Sequence, residues 1–159
     1  MKMNLTPFEK VTNVPRGKHF PVSDAIRDVL GNHDLIEIIS LFNIESVRST
    51  ILPKYRGMGA YVFDAHLYMG FNHSYKLMDL EFRLPFNFEG ASGLFLNNLN
   101  LFQPTLMDVR KALEAMSIAT ELIDVGLEAP SIGVSFFSNE YENDLNVKLD
   151  SVTVHFTNP

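Results

Sequence analysis

Apolar and polar residues alternate strictly at two places in the chain, Leu80-Glu81-Phe82-Arg83-Leu84 and Val152-Thr153-Val154-His155-Phe156. Period two marks a strand with one buried face. Both are therefore predicted strands, with His155 on the solvent side. The stretch 60–71, containing Tyr61, Phe63, Tyr68, Met69 and Phe71, reads as a hairpin turning near Asp64-Ala65. Between 86 and 101 the chain passes through Gly90 and Gly93, then Leu94, Leu96, Leu99 and Leu101. That stretch lacks the Ser/Pro bias of a free linker, so the segments it joins are expected to share a sheet or pack sheet to sheet. Leu35 to Phe42 is a short apolar run whose periodicity fits strand or helix, with strand preferred at its start; Ile118 to Val125 sits in the equivalent place later on.

Two stretches carry the helical period instead. In Pro21 to Gly31, Ser23 is a candidate N-cap, Ala25, Ile26, Val29 and Leu30 share one face, and Gly31 is a candidate stop. In Pro104 to Met116, Thr105 and Asp108 stand at capping-box spacing, and Leu106, Val109, Leu113 and Met116 form one apolar stripe. The two align without a gap: Pro21 on Pro104, Ile26 on Val109, Arg27 on Arg110, Leu30 on Leu113. Downstream, Leu80, Phe82 and Leu84 align on Val152, Val154 and Phe156, and Tyr61-Val62-Phe63 resembles the stretch 133–136. The expectation is an α+β domain over 1–159, built from two diverged helix-plus-antiparallel-strand halves, about 8–88 and 89–159, in a shared antiparallel sheet or two packed sheets.

Composition narrows the function classes. Of 159 residues, 46% are hydrophobic and 20% charged, enough apolar material for a packed core. Without cysteine there is neither a disulfide framework nor a thiolate metal site. No long apolar leader or membrane-length apolar run is visible, so a cytoplasmic location is expected. The net charge of −6 argues against a phosphate-backbone binder and suits an acidic surface that steers towards a basic partner.

Catalytic motifs are missing. There is no HExxH, GxSxG, GxGxxG or P-loop. Gly90-Ala91-Ser92-Gly93 resembles a nucleophile elbow only superficially, and Gly57-Met58-Gly59 reads as a turn. Among His19, His33, His66, His73 and His155, only His66 and His73 are placed to meet across a hairpin, with Asp64 nearby. Metal-binding or acid–base chemistry there is outweighed by ordinary strand and turn roles. Arg16-Gly17-Lys18-His19, ahead of the first helix, offers an anion site but reads more simply as a solvated loop. No catalytic residue, metal site or cofactor is expected, and the chain is read as a non-enzyme.

The most informative polar stretch is Ser138 to Asp144, where Glu140, Glu142 and Asp144 surround Tyr141 between two predicted strands. An exposed hairpin loop of this composition is a candidate partner-binding site: carboxylates to steer a basic protein, a tyrosine to anchor it.

The helix at 22–31, Tyr61-Val62-Phe63-Asp64, Leu77-Met78-Asp79-Leu80-Glu81-Phe82, Phe88-Glu89-Gly90 and the stretch 132–136 together resemble bacterial immunity proteins, encoded beside polymorphic or contact-dependent toxins. The resemblance covers most of the chain. The two-copy plan also looks like secreted β-lactamase inhibitors and small outer-membrane-assembly lipoproteins, from which this chain departs by lacking cysteine. What the resemblance implies is a stoichiometric inhibitor of a toxin domain, often a basic nuclease, with no catalytic residues to carry over. Three other readings compete. One is a ligand-binding module with a pocket lined by Phe63, Tyr68, Phe82 and Phe86. Another is a structural subunit of a phage or secretion assembly. The most remote is an enzyme using His66 with Asp64.

Overall fold

The two alternating segments become neighbours. Strand β7 (Leu77–Arg83) and strand β13 (Ser151–His155) pair antiparallel, with Leu80 opposite Val154 and Phe82 opposite Val152. Because period two sends every second side chain to the same face, that register continues into two rows across the sheet. One runs Ala60, Met69, Leu80, Val154, Val134, Ala129; the other runs Val62, Leu67, Phe82, Val152, Phe136, Leu127. Every member of both rows is buried. These rows form the central part of the hydrophobic core.

The computed structural model describes residues 2–15, 29–30, 46–52, 55–71 and 77–156. Among them the chain is mostly β, with one short helix and two sheets. The larger sheet adds β4 (Ser46–Leu52), β5 (Tyr55–Val62), β6 (Leu67–Phe71), β10 (Glu121–Ile123), β11 (Gly126–Ala129) and β12 (Val134–Phe137) to the central pair, in the order β10-β11-β12-β13-β7-β6-β5-β4, all antiparallel. Strands from the front and rear of the chain thus share one antiparallel sheet, as expected. The smaller, mixed sheet is built from β1 (Met3–Thr6), β2 (Lys10–Thr12), β3 (Val29–Leu30), β8 (Leu94–Leu96) and β9 (Leu99–Asn100), in the order β3-β2-β1-β8-β9. Its β1 and β8 are parallel. The 86–101 stretch is therefore not a tether; its Leu94, Leu96 and Leu101 are buried in the core.

Helix α1 (Leu106–Ala115) forms where its capping signal stands. The Asp108 N–H donates to Thr105 Oγ1 at 3.1 Å, and the Thr105 hydroxyl donates to the Asp108 carboxylate at 2.9 Å. Leu106, Val109 and Leu113 are buried, but Met116 has turned out to solvent at the C-cap. The helix ends in a Schellman arrangement: Ile118 N–H donates to the Leu113 carbonyl and Ser117 N–H to the Glu114 carbonyl. Ser117 adopts φ 58°, the left-handed conformation usually given to glycine.

Several expectations need correction. Val29 and Leu30 lie in strand β3, paired with Val11 and Lys10, and not on a helix face; 21–28, Gly31 and 35–42 lie outside the described residues. An apolar pair satisfies either period, and the sheet edge offered by β2 decided between them. Gly57-Met58-Gly59 is part of β5, not a turn; the ring of Tyr68 lies over Gly59, where a Cβ would collide with it. Tyr61 and Val62 belong to β5, two strands from β7, whereas Val134 to Phe136 belong to β12, next to β13. The proposed match between these segments therefore does not hold in space. In the 118–125 stretch, β10 is an edge strand, and Leu122 is 61% exposed.

Candidate functional site

The candidate loop is the 138–150 connection between β12 and β13. Its second half is clamped to the start of α1. The first free N–H groups of the helix, on Leu106 and Met107, donate to the carbonyls of Val147 (3.1 Å) and Leu145 (2.8 Å), and Leu149 N–H donates to the Pro104 carbonyl. Leu145 and Leu149 are buried in the core. This satisfies helix N–H groups that have no intrahelical partner and fixes the loop against the fold.

The tip is acidic and held by short bonds. Asp150 accepts the Asn139 N–H at 2.7 Å, Ser138 Oγ accepts the Glu140 N–H at 3.2 Å, and Asp144 accepts the Asn146 N–H at 2.9 Å. Glu140, Glu142 and Asp144 are exposed, and among the described residues none of them forms an ion pair. Tyr141 differs from the exposed anchor expected of it: it is half-buried and packs against the core. Its ring fastens the tip instead of projecting from it.

Beside the loop opens a polar cleft of about 490 Å³, lined by Asp64, Ala65, His66, Glu81, Arg83, Leu84, Asn139, Asp150 and Ser151. One wall is the 63–66 hairpin turn, the other the root of the acidic loop. The turn has Phe63, Asp64 and Ala65 all at positive φ (56°, 53° and 61°), a conformation that costs non-glycine residues about 1–2 kcal/mol each. It sets the His66 ring in place, with Nδ1 3.1 Å from the carbonyls of both Phe63 and Asp64. Carbonyls only accept, so Nδ1 carries the proton and Nε2 is the acceptor nitrogen of the neutral ring. His66 and Asp64 line one cleft, as the enzyme reading requires, but Nδ1 of His66 bonds to the main-chain carbonyl of Asp64. His19, His33, His73 and Arg16 to His19 lie outside the described residues.

The polar face of the large sheet holds a second group, which the sequence reading missed. Across the row Tyr61, Tyr68, Glu81, Thr153, Ser135, Glu128, Ser135 Oγ lies 3.0 Å from Nε2 of His155. Asp79 stands opposite His155 in the ladder. His155 stands on the face opposite the core, as expected, and is half-buried there against Ser135. Burial raises the Asp79 carboxyl above its usual value; the nearby His155 opposes that and Glu81 adds to it. Serine, histidine and aspartate together invite a hydrolase reading, but Ser135 is only 4% exposed. It also sits within an interior strand, whose N–H groups are committed to ladder bonds and offer no oxyanion hole. Only the strand register could have revealed this grouping.

Of the four aromatics in the competing ligand-pocket reading, Phe63, Phe82 and Phe86 pack together, with Phe86 5.2 Å from Phe82 and 6.1 Å from Phe63 between ring centres, and Tyr68 does not join them. Tyr68 lies on the polar face against Tyr61, while Phe82 is buried on the other and packs on Phe86 and Phe102. A shallow groove of about 530 Å³ does exist along Leu84, Pro85, Phe86, Phe102, Pro104 and Leu149, with Lys148 at its rim. Among the described residues, no group of three His, Asp or Glu side chains is placed to hold a metal ion, and no helix is long and apolar enough to cross a membrane. No family model, curated protein or solved structure matches the chain.

Proposed function

We propose that this chain is a stoichiometric, immunity-type inhibitor that docks on a basic bacterial toxin domain and neutralises it without performing a reaction. The observation that carries this reading is the 138–150 loop. Glu140, Glu142 and Asp144 stand exposed and, among the described residues, without ion pairs, on a tip fixed by Tyr141 and by the clamp at the start of α1. Pre-ordering such a tip lowers the conformational entropy lost on binding, and unpaired carboxylates steer a basic surface into contact. The net charge of −6 acts in the same direction. Neutralising a nuclease would place these carboxylates where its phosphates normally sit.

The two four-strand runs, β4 to β7 and β10 to β13, support a reading as diverged copies of one unit. Their order is mirrored outward from the β7–β13 seam. The seam register is centred on Glu81 opposite Thr153, the placement that aligning Leu80 with Val152 and Phe82 with Val154 requires.

The test is co-expression with the product of the adjacent gene, followed by titration of the purified pair. The expected result is a one-to-one complex, loss of toxicity, and an association rate that falls steeply with salt. Reversing Glu140, Glu142 and Asp144 to lysine should slow association at least tenfold at low ionic strength. An adjacent product that is harmless, or that forms no complex, would end this reading.

A further inference from the structure

We infer that the free edge of β10 takes up an extended segment of the basic partner as an added antiparallel strand, with an apolar side chain beside Leu122 and a lysine or arginine beside Glu121. This deepens the docking function proposed above and rests on it for the partner's identity, though not for the chemistry of the edge.

Strand β10 ends the larger sheet, so among the described residues no strand lies on its outer side. An edge strand leaves main-chain N–H and C=O groups unpaired along that side, and lysine or proline commonly guards it. Glu121-Leu122-Ile123 contains neither. Leu122 stands opposite Leu127, so it continues the buried row that runs from Val62 through Phe82 to Leu127 on the core face. Leu127 is 1% exposed and Leu122 61%: the row runs out of cover at its last member. Val125, in the turn that leads to β11, is 48% exposed. Apolar surface that continues the core yet stands open to water is what an added strand would bury.

The opposite face selects the charge of the occupant. Glu121 stands directly opposite Glu128, and like charges so placed repel. Neither forms an ion pair among the described residues, and from Ala112 to Val147 the chain has no lysine, arginine or histidine. A cation on the next strand would lie opposite Glu121 and offset the repulsion. A second copy of this chain does not supply one: β10 laid against β10 adds another acidic hairpin, on a molecule of net charge −6. Period two puts the required lysine or arginine one residue from the apolar side chain that covers Leu122, so the partner's segment alternates apolar and basic residues. Main-chain bonds then supply affinity, and the two side chains select the sequence. The Val125 carbonyl accepts the Ser138 N–H at 3.1 Å. That bond ties the end of the hairpin to the root of the acidic loop, so a strand seated on β10 brings its own chain beside the exposed carboxylates.

The test begins without the partner. The peptide acetyl-Val-Thr-Val-Lys-Val-Lys-amide is titrated into the full, ¹⁵N-labelled chain and followed by amide chemical shifts and hydrogen exchange. The expected result is saturable shifts centred on 120–128, with slowed exchange of the β10 amides. Replacing both lysines of the peptide by glutamate should abolish binding. Leu122→Lys should weaken binding of the lysine peptide about fivefold. Glu121→Lys should weaken it to a similar degree and admit the glutamate peptide instead. Both positions are exposed, so neither variant removes core packing. Equal binding of the two peptides, shifts elsewhere on the surface, or unchanged exchange in β10 would overturn the inference. So would sedimentation showing a dimer that Leu122→Lys dissociates, which would assign the edge to a second copy. If the lysine peptide binds and the adjacent gene product forms no complex, the strand site stands and the inhibitor reading alone falls. If that product forms its one-to-one complex and Leu122→Lys leaves the affinity unchanged, the inhibitor reading stands and this inference falls.

Discussion

Replacing Phe82 with alanine probes whether the front and rear strands are stabilised as one body. Phe82 is fully buried at the seam, opposite Val152 across the β7–β13 pair and Leu67 across the β6–β7 pair. It meets Phe86 edge-on at 5.2 Å and Phe102 at 5.6 Å between ring centres. Burial of a phenylalanine side chain contributes about 1.5–3 kcal/mol. Each aromatic pair adds about 0.5–1.5 kcal/mol, and truncation leaves a cavity besides. A loss of about 4 kcal/mol is therefore expected, within the range known for such truncations. For a chain of this size that corresponds to a fall in Tm of about 8–16 °C. Calorimetry and urea titration followed by both near- and far-UV circular dichroism provide the measurement. All signals should shift together in one transition. Two transitions, with one left unmoved by Phe82→Ala, would refute the shared core. A loss below about 1.5 kcal/mol would refute the packing argument itself.

Two further predictions concern the polar face and the helix end. Asp79→Asn should raise Tm at pH 7. Burial raises the carboxyl's folded-state value above the ordinary 3.8, so the folded state holds the proton more tightly. The native protein's stability then falls as pH rises from 3.8 through that raised value, and the advantage of the asparagine variant over the native aspartate vanishes below 3.8. A Tm difference independent of pH would contradict this. Ser117→Gly should stabilise by about 0.5–1 kcal/mol, measured by urea melts, because it relieves the left-handed conformation at the end of α1; a destabilised variant would show that Ser117 has a role beyond the turn.

What could be read from the sequence was what rests on local periodicity. The strands at 80–84 and 152–156 announce themselves by strict alternation, and α1 by Thr105 and Asp108 at capping distance. The hairpin at 64–65 and the acidic loop at 138–144 were legible as turns for the same reason. Val29 and Leu30 were misread because an apolar pair is common to both periods and pairing with β2 decided it. The smaller sheet was invisible: β1 and β8 are short, parallel and far apart in the chain, so no local pattern encodes their meeting. The cleft was invisible on the same grounds. Asp64 and His66 come to Asp150 and Ser151 only because β6, β7 and β13 lie side by side. Ser135 and His155 likewise depend on register, which single-sequence patterning does not specify.

The seam also sets an order of events in the cell. Strand β7 is complete once Arg83 has been made, yet its second neighbour, β13, is not available until residues 151–155 have left the ribosome. In that interval β7 is a bare edge, with open main-chain groups and with Leu80 and Phe82 lacking their neighbours Val154 and Val152, the kind of template other chains add to. Closing it joins residues distant in sequence, which is slow on entropic grounds. Nascent protein should therefore be at its stickiest between the making of β7 and the release of β13, and a truncation ahead of β13 should promote aggregation.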